Sequence, residues 1–188
     1  KFHYDYLELS SKDYEIVGKV ERKGKMIKAT IPFLNLKKHD VTIDGGFTYD
    51  LDQDILATKG NFTLNGANGK FNARKKDNDI DFGLSSDTFT DLKSIIDRFG
   101  LMEVVRSWVV DKVQAKEYKL QSLRGKAKID KCKFIIDFDA LKGEVIFSDA
   151  KIYFQEELPP VLVPRFILTY ERGGLYFDLK EPTYENIS

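Results

Sequence analysis

The chain has 188 residues, with 30 Lys and Arg against 30 Asp and Glu and a formal net charge of zero. A globule of that length buries roughly 70% of its unfolded surface, so one large domain or two small ones can hold a true core, while the charge balance gives no global field that would select nucleic acid or an acidic partner. One cysteine, Cys132, excludes an internal disulfide, and the separation of the only two histidines, His3 and His39, excludes a Cys/His zinc cluster.

No stretch approaches the roughly 20 apolar residues of a membrane-spanning helix, and no basic start leads into an apolar run. The chain begins at Lys1 without a methionine, and the expectation is a piece of a longer protein.

From the N-terminus the chain reads as short runs of period-two alternation separated by turn residues. Tyr14–Val20 and Met26–Ile31 flank a hairpin turn at Lys23-Gly24, and Pro32 closes the second run. Val41, Ile43, Phe47 and Tyr49 alternate with Thr42, Asp44, Thr48 and Asp50, giving one apolar and one wet face. Gly45-Gly46 within that run points to a bulge or a close backbone approach. Leu56, Phe62 and Leu64 extend the apolar set. A glycine-rich turn at 65–69 follows, then Phe71 and Ala73, a polar turn that includes Arg74-Lys75-Lys76, and Ile80, Phe82 and Leu84. The strands form a meander.

At 89–113 the period changes. Leu92, Ile95, Ile96 and Phe99 fall at helical spacing, and after Gly100 the series restarts as Leu101, Val104, Val105, Trp108 and Val109, which predicts two amphipathic helices. Thr88 or Thr90 can cap the first, Asp91 suits its positive end, and Gly100 can end it. Strand grammar then resumes with Tyr118 and Leu120; Leu123, Ala127 and Ile129; and Phe134, Ile136 and Phe138. Val145 and Phe147 continue it, but Ala150, Ile152 and Phe154 have the opposite parity, which calls for a bulge near Ser148-Asp149. Beyond Pro159-Pro160, Phe166, Leu168 and Tyr170, the turn Arg172-Gly173-Gly174, and Leu175, Phe177 and Leu179 form a last hairpin. A weak internal echo links Lys59–Leu64 with Arg124–Ile129.

Catalytic signatures are missing. Neither histidine sits in a nucleophile elbow or a metal helix, and the Gly66–Gly69 segment lacks the Lys-Ser/Thr and helix of a phosphate loop. Asp50, Asp52 and Asp54 are spaced like calcium ligands, yet no Gly and distal Glu complete that pattern, and a solvated turn is the better reading. What stands out is the 14 Phe and 9 Tyr displayed along one sheet. A second sheet or the helices can close over that apolar face, which the periodicity by itself favours. Alternatively, a curved sheet leaves it open to acyl chains, each buried CH₂ contributing about 0.8 kcal/mol.

Trp108-Val-Val, the Leu123-x-Gly125-x-Ala127-x-Ile129 strand, Gly143–Phe147, and Ala150–Phe154 leading to Leu158-Pro159-Pro160 resemble the bacterial AsmA-like envelope proteins of the YhdP and TamB type. So do Arg165–Tyr170 and Gly174–Tyr184, the similarity covering about residues 41–187. The resemblance implies a mainly β fold, a twisted antiparallel sheet forming an open, taco-like groove with a two-helix insert. Its parts would be 1–87 and 114–188 as groove segments and 88–113 as the helical insert, within one continuous domain. It implies a non-enzymatic segment of an intermembrane phospholipid-transport protein in the periplasm, whose parent is anchored in the inner membrane and serves outer-membrane biogenesis. Lipid acyl chains would meet Phe62, Leu64, Phe71, Phe82, Ile129, Phe134, Ile136, Phe147, Phe166, Leu168, Leu175 and Phe177. The implied partners are phospholipid or another lipid and neighbouring β modules of the same parent, with the membrane reached through other parts of that parent. No nucleic acid, cofactor, metal or catalytic residue is implied. The competing expectation is a structural or protein-binding β module with a sealed core and an exposed edge for strand addition.

Overall fold

A computed structural model of the chain describes residues 2–99, 106–130, 133–155 and 157–184; the side chains of residues 2–5, 98, 99, 108, 133 and 134 lie outside that description. Period-two alternation broken by two-residue turns produces a long antiparallel meander. Its strands are β1 (Phe2–Ser10), β2 (Tyr14–Lys23), β3 (Met26–Leu36), β4 (Val41–Asp50), β5 (Ile55–Leu64), β6 (Ala67–Lys76), β7 (Asp79–Ser86) and β8 (Thr88–Phe89). After the helical segment come β9 (Val113–Gln114), β10 (Glu117–Asp130), β11 (Lys133–Ile152), β12 (Val161–Glu171), β13 (Gly174–Lys180) and β14 (Thr183–Tyr184). They make one sheet in the order β1-β2-β3-β4-β5-β6-β7-β10-β11-β12-β13, not closed into a barrel. The short strands β8, β9 and β14 pair with β10, β11 and β12 respectively. The helical segment is thus a long loop between two strands that remain neighbours. Strand β1 lies outside the runs read as strands above; it alternates as Phe2-His3-Tyr4-Asp5-Tyr6 and then, with the opposite parity, as Leu7-Glu8-Leu9-Ser10, and that break coincides with a register shift between Tyr4 and Leu7.

The tight turns place their residues at positive φ, which suits Asn and Gly and is imposed on Arg172. Asn65 (φ 48) and Gly66 (φ 77) join β5 to β6, and Arg172 (φ 51) and Gly173 (φ 74) join β12 to β13, so Ala67–Gly69 and Gly174 belong to strands. Between β2 and β3 the turn is Gly24-Lys25, one residue later than expected. Arg74, Lys75 and Lys76 close β6 instead of forming the next turn, because Asp77 (φ 54) and Asn78 suffice to reverse the chain.

Two expectations about irregular positions need correcting. Pro32 does not end its strand. It lies in a bulge of β3, where Ile31 pairs with Gly45 and Leu34 with Ile43, a place at which a missing N–H breaks no ladder bond. The parity change near Ser148-Asp149 involves no shift of register, since Ser148 pairs with Arg165 and Ala150 with Val163. Asp149 instead takes φ 51, and β12 changes its buried face at the same level, from Phe166 to Val163.

The core sits at the C-terminal half. Helix α1 (Leu92–Phe99) is capped by Asp91, whose carboxylate accepts from the Ser94 N–H at 3.0 Å and the Ser94 hydroxyl at 2.6 Å. These bonds hold the Asp91 carboxyl below the usual carboxylate range. Thr88, one of the two expected caps, is in β8. The expected second helix falls partly on residues 101–105, outside the described residues, as does the Trp108 side chain; a helical turn is described at Ser107–Asp111. Arg106 joins the two pieces through Asp97 at 3.0 Å and Asp111 at 3.8 Å. Leu92, Ile96 and Val109 pack with Val113, Tyr118, Phe147, Ile152, Val163 and Phe166 into one buried cluster. Among the described residues, none of β1–β7 belongs to it.

Candidate apolar face of the sheet

Cross-strand register carries the apolar face from strand to strand. Ile16, Leu34, Ile43, Phe62, Gly69 and Ser86 stand in one row; Ile31, Gly45, Gly60, Phe71 and Leu84 in the next; Val20, Ala29, Phe47, Thr58, Ala73 and Phe82 in a third. Aromatic residues in these rows face small ones across the ladder. A Cβ on Gly69 would stand 2.3 Å from Cζ of Phe62, so that ring lies over the neighbouring backbone. Gly45 and Gly60 face each other so closely that a Cβ on Gly60 would meet the Asp44 carbonyl oxygen at 2.0 Å. The close approach expected at Gly45-Gly46 is this contact, and β4 pairs with β5 without a bulge.

The rows of β2–β7 remain half-open. Their large side chains, Phe47, Phe62, Phe71 and Phe82 among them, are partly exposed, and the only apolar side chains buried there are Ala29, Leu64 and Ala67. A shallow depression of about 140 Å³ is lined by Pro32, Phe33, Thr42, Ile43, Asp44, Phe62 and Thr63, at the β3 bulge. It is smaller than the roughly 300 Å³ of a typical small-molecule pocket. Among the described residues of β2–β7, the extended face offers an apolar ligand more surface than this depression does.

The twelve residues expected to meet acyl chains fall into distinct places. Phe62, Phe71 and Phe82 are on the open part of the face, and Leu64 is buried near the β5–β6 turn. Ile129 and Ile136 continue the same face on the β10–β11 hairpin, through the pairs Ala127 with Ile80 and Ala127 with Ile136. The Phe134 side chain lies outside the described residues. Phe147 and Phe166 are 0% exposed and Leu168 is 7% exposed. Enclosed beneath the helical segment, these three offer no surface to a ligand, which corrects their placement in an open groove. Leu175 packs at the border of the cluster, while Phe177 is 43% exposed with its ring stacked 5.8 Å from that of Phe166. Leu34, Ile43, Phe47 and Leu84 share the open face and were not in the expected set; the alternation of Ile43, Phe47 and Leu84 is plain in the sequence, whereas Leu34 reaches this face only through the β3 bulge.

Charged groups border this face. Lys75 stands in the row of Leu56, Tyr49 and Ile80, and Arg22 in that of Ile27, at the end of the sheet that carries the β2–β3 and β6–β7 turns. Nearby, the Tyr49 hydroxyl donates to Asp54 at 2.6 Å, which raises its pKa. Asp50 accepts from the N–H groups of Asp52 and Gln53, and Asp52 pairs with Lys25. Each of the three carboxylates spaced like calcium ligands is thereby engaged in turn structure.

No family model, curated protein or solved structure matches the chain.

Proposed function

We propose that this chain is a segment of a non-enzymatic, AsmA-like intermembrane phospholipid-transport protein of the bacterial envelope, periplasmic, with its parent anchored in the inner membrane. The observation that supports this reading is the partly exposed aromatic face of β2–β7, none of whose described residues belongs to the buried cluster. An acyl chain laid along it gains about 0.8 kcal/mol for each methylene removed from water. Lys75 and Arg22 stand in the marginal row of the same face, where cations can meet an anionic headgroup; the Arg22 Nε–H donates to the Gly24 carbonyl at 3.1 Å.

The residues carrying the proposal are Phe62, Phe71 and Phe82, continued by Ile129 and Ile136. The competing reading, a sealed protein-binding β module, draws support from the enclosed cluster around Phe147 and Phe166. Native mass spectrometry of the purified chain for co-purified phospholipid separates them, followed by a fluorescent phospholipid-binding assay on a Phe71→Asp/Phe82→Asp variant. The expected result is bound lipid in the parent chain and a variant that still melts cooperatively but has lost binding. A parent chain that takes up no lipid, or a folded variant that binds as well as the parent, overturns the reading.

A further inference from the structure

Strand β11 has an edge that the sheet leaves unpaired. Its pairing with β12 begins only at Lys142, opposite Glu171, although β11 itself starts at Lys133. Among the described residues no strand pairs with the outer side of β11 before Lys142. The straight part of that edge is shorter. Lys126 pairs with Asp137 and Arg124 with Lys142, so Gly125 alone faces residues 138–141 and the chain bulges there. Asp137 Oδ1 helps to fold the bulge by accepting from the N–H groups of Asp139 at 3.1 Å and Ala140 at 3.3 Å. Lys133–Asp137 is what remains.

The backbone of these residues is turned outward in a defined phase. The Ile129 N–H donates to the Asn78 carbonyl at 2.9 Å, toward β7. Ile129 therefore exchanges no hydrogen bonds with its cross-strand mate Phe134, and in an antiparallel ladder the N–H and C=O of Phe134 and of Ile136 then point away from β10. Ile135 is 51% and Ile136 36% exposed, on opposite faces. This edge carries no proline or glycine to discourage pairing.

We propose that Lys133–Asp137 pairs with the same segment of a second copy of this chain, antiparallel and centred on Ile135, joining two sheets into one two-fold dimer. That register places Lys133 opposite Asp137, Phe134 opposite Ile136 and Ile135 opposite itself, so every position meets one of matching chemistry. The outward groups of Phe134 and Ile136 complete backbone hydrogen bonds with their counterparts. Centring on Ile136 instead would set Ile135 opposite Asp137, an apolar side chain against a charge. A two-fold, self-complementary strand pair is the simplest closed assembly an unpaired edge can form.

So short a ladder gives a dissociation constant on the order of 0.1 mM. Sedimentation velocity of the whole chain, at concentrations up to about ten times that value, reads it directly. Ile135→Lys and Ile135→Asp change an exposed side chain, and unchanged thermal melts check that each variant folds. Each alone sets like charges face to face and weakens dimerisation by about tenfold or more. An equimolar mixture of the two regains the dimer, because Lys then meets Asp. A parent chain that is monomeric throughout, a single variant that dimerises like the parent, or a mixture that stays monomeric overturns the proposal.

Discussion

Replacing the same residue type by alanine in two zones of this one sheet should have different consequences. Phe147 is 0% exposed, with its ring 5.4 Å from that of Tyr118 and 4.8 Å from that of Phe166. Phe147→Ala removes both ring contacts, each contributing about 1 kcal/mol, and leaves a cavity that the surrounding strands and helix cannot fill, for a total near 4 kcal/mol. Phe62 is half-buried, its ring lies over Gly69, and it is not part of the buried cluster formed by the described residues. Phe62→Ala forfeits only part of a transfer term and leaves a site that water can occupy, so about 1 kcal/mol is lost. With a urea dependence of about 2 kcal/mol per molar for a domain of this size, the midpoint falls by about 2 M in the first variant and about 0.5 M in the second. Equilibrium urea unfolding followed by far-UV circular dichroism measures both. Equal shifts would refute the argument, because they would mean that the β2–β7 face is covered as completely as the C-terminal cluster.

Gly60→Ala should lower stability by about 2 kcal/mol in thermal melts, since the clash with the Asp44 carbonyl outweighs the ordinary gain of about 0.4–1 kcal/mol from a stiffer unfolded chain; a stabilised variant would disprove the close approach. At Asp149, where φ is 51, Asp149→Val should cost about 1–2 kcal/mol while Asp149→Gly is near neutral, as chemical denaturation can test. Asp91→Ala should cost about 1 kcal/mol through the lost cap, whereas Asp91→Asn keeps it. Because the Asp91 carboxyl is held below its ordinary value in the folded chain, its contribution is complete above the unfolded carboxylate range and is lost as pH falls through the depressed folded value. Melts recorded from neutral to acid pH should show that loss in the parent and not in Asp91→Asn.

Most of the strand content was legible because alternation has period two whatever the strand pairs with, and because Asn65-Gly66 and Arg172-Gly173 can turn only one way. The helical insert was legible from the apolar spacing of Leu92, Ile95 and Ile96. Other features depended on neighbours distant in sequence. Pro32 reads as a terminator until the ladder with Gly45 and Ile43 shows the bulge that accommodates it. The parity break at Asp149 reads as an inserted residue until β12 is seen to change face at the same level. Phe62, within Asn61-Phe62-Thr63-Leu64, and Phe147, at the end of Val145-Ile146-Phe147, both read as apolar strand positions, and nothing local says which of them will be covered. Only the path of the chain between β8 and β9, which lays Leu92, Ile96 and Val109 over one part of the sheet, makes Phe147 a core residue and leaves Phe62 half-open. Periodicity records which side of a strand is apolar, but the element that covers that side comes from elsewhere in the chain, and only tertiary packing decides it.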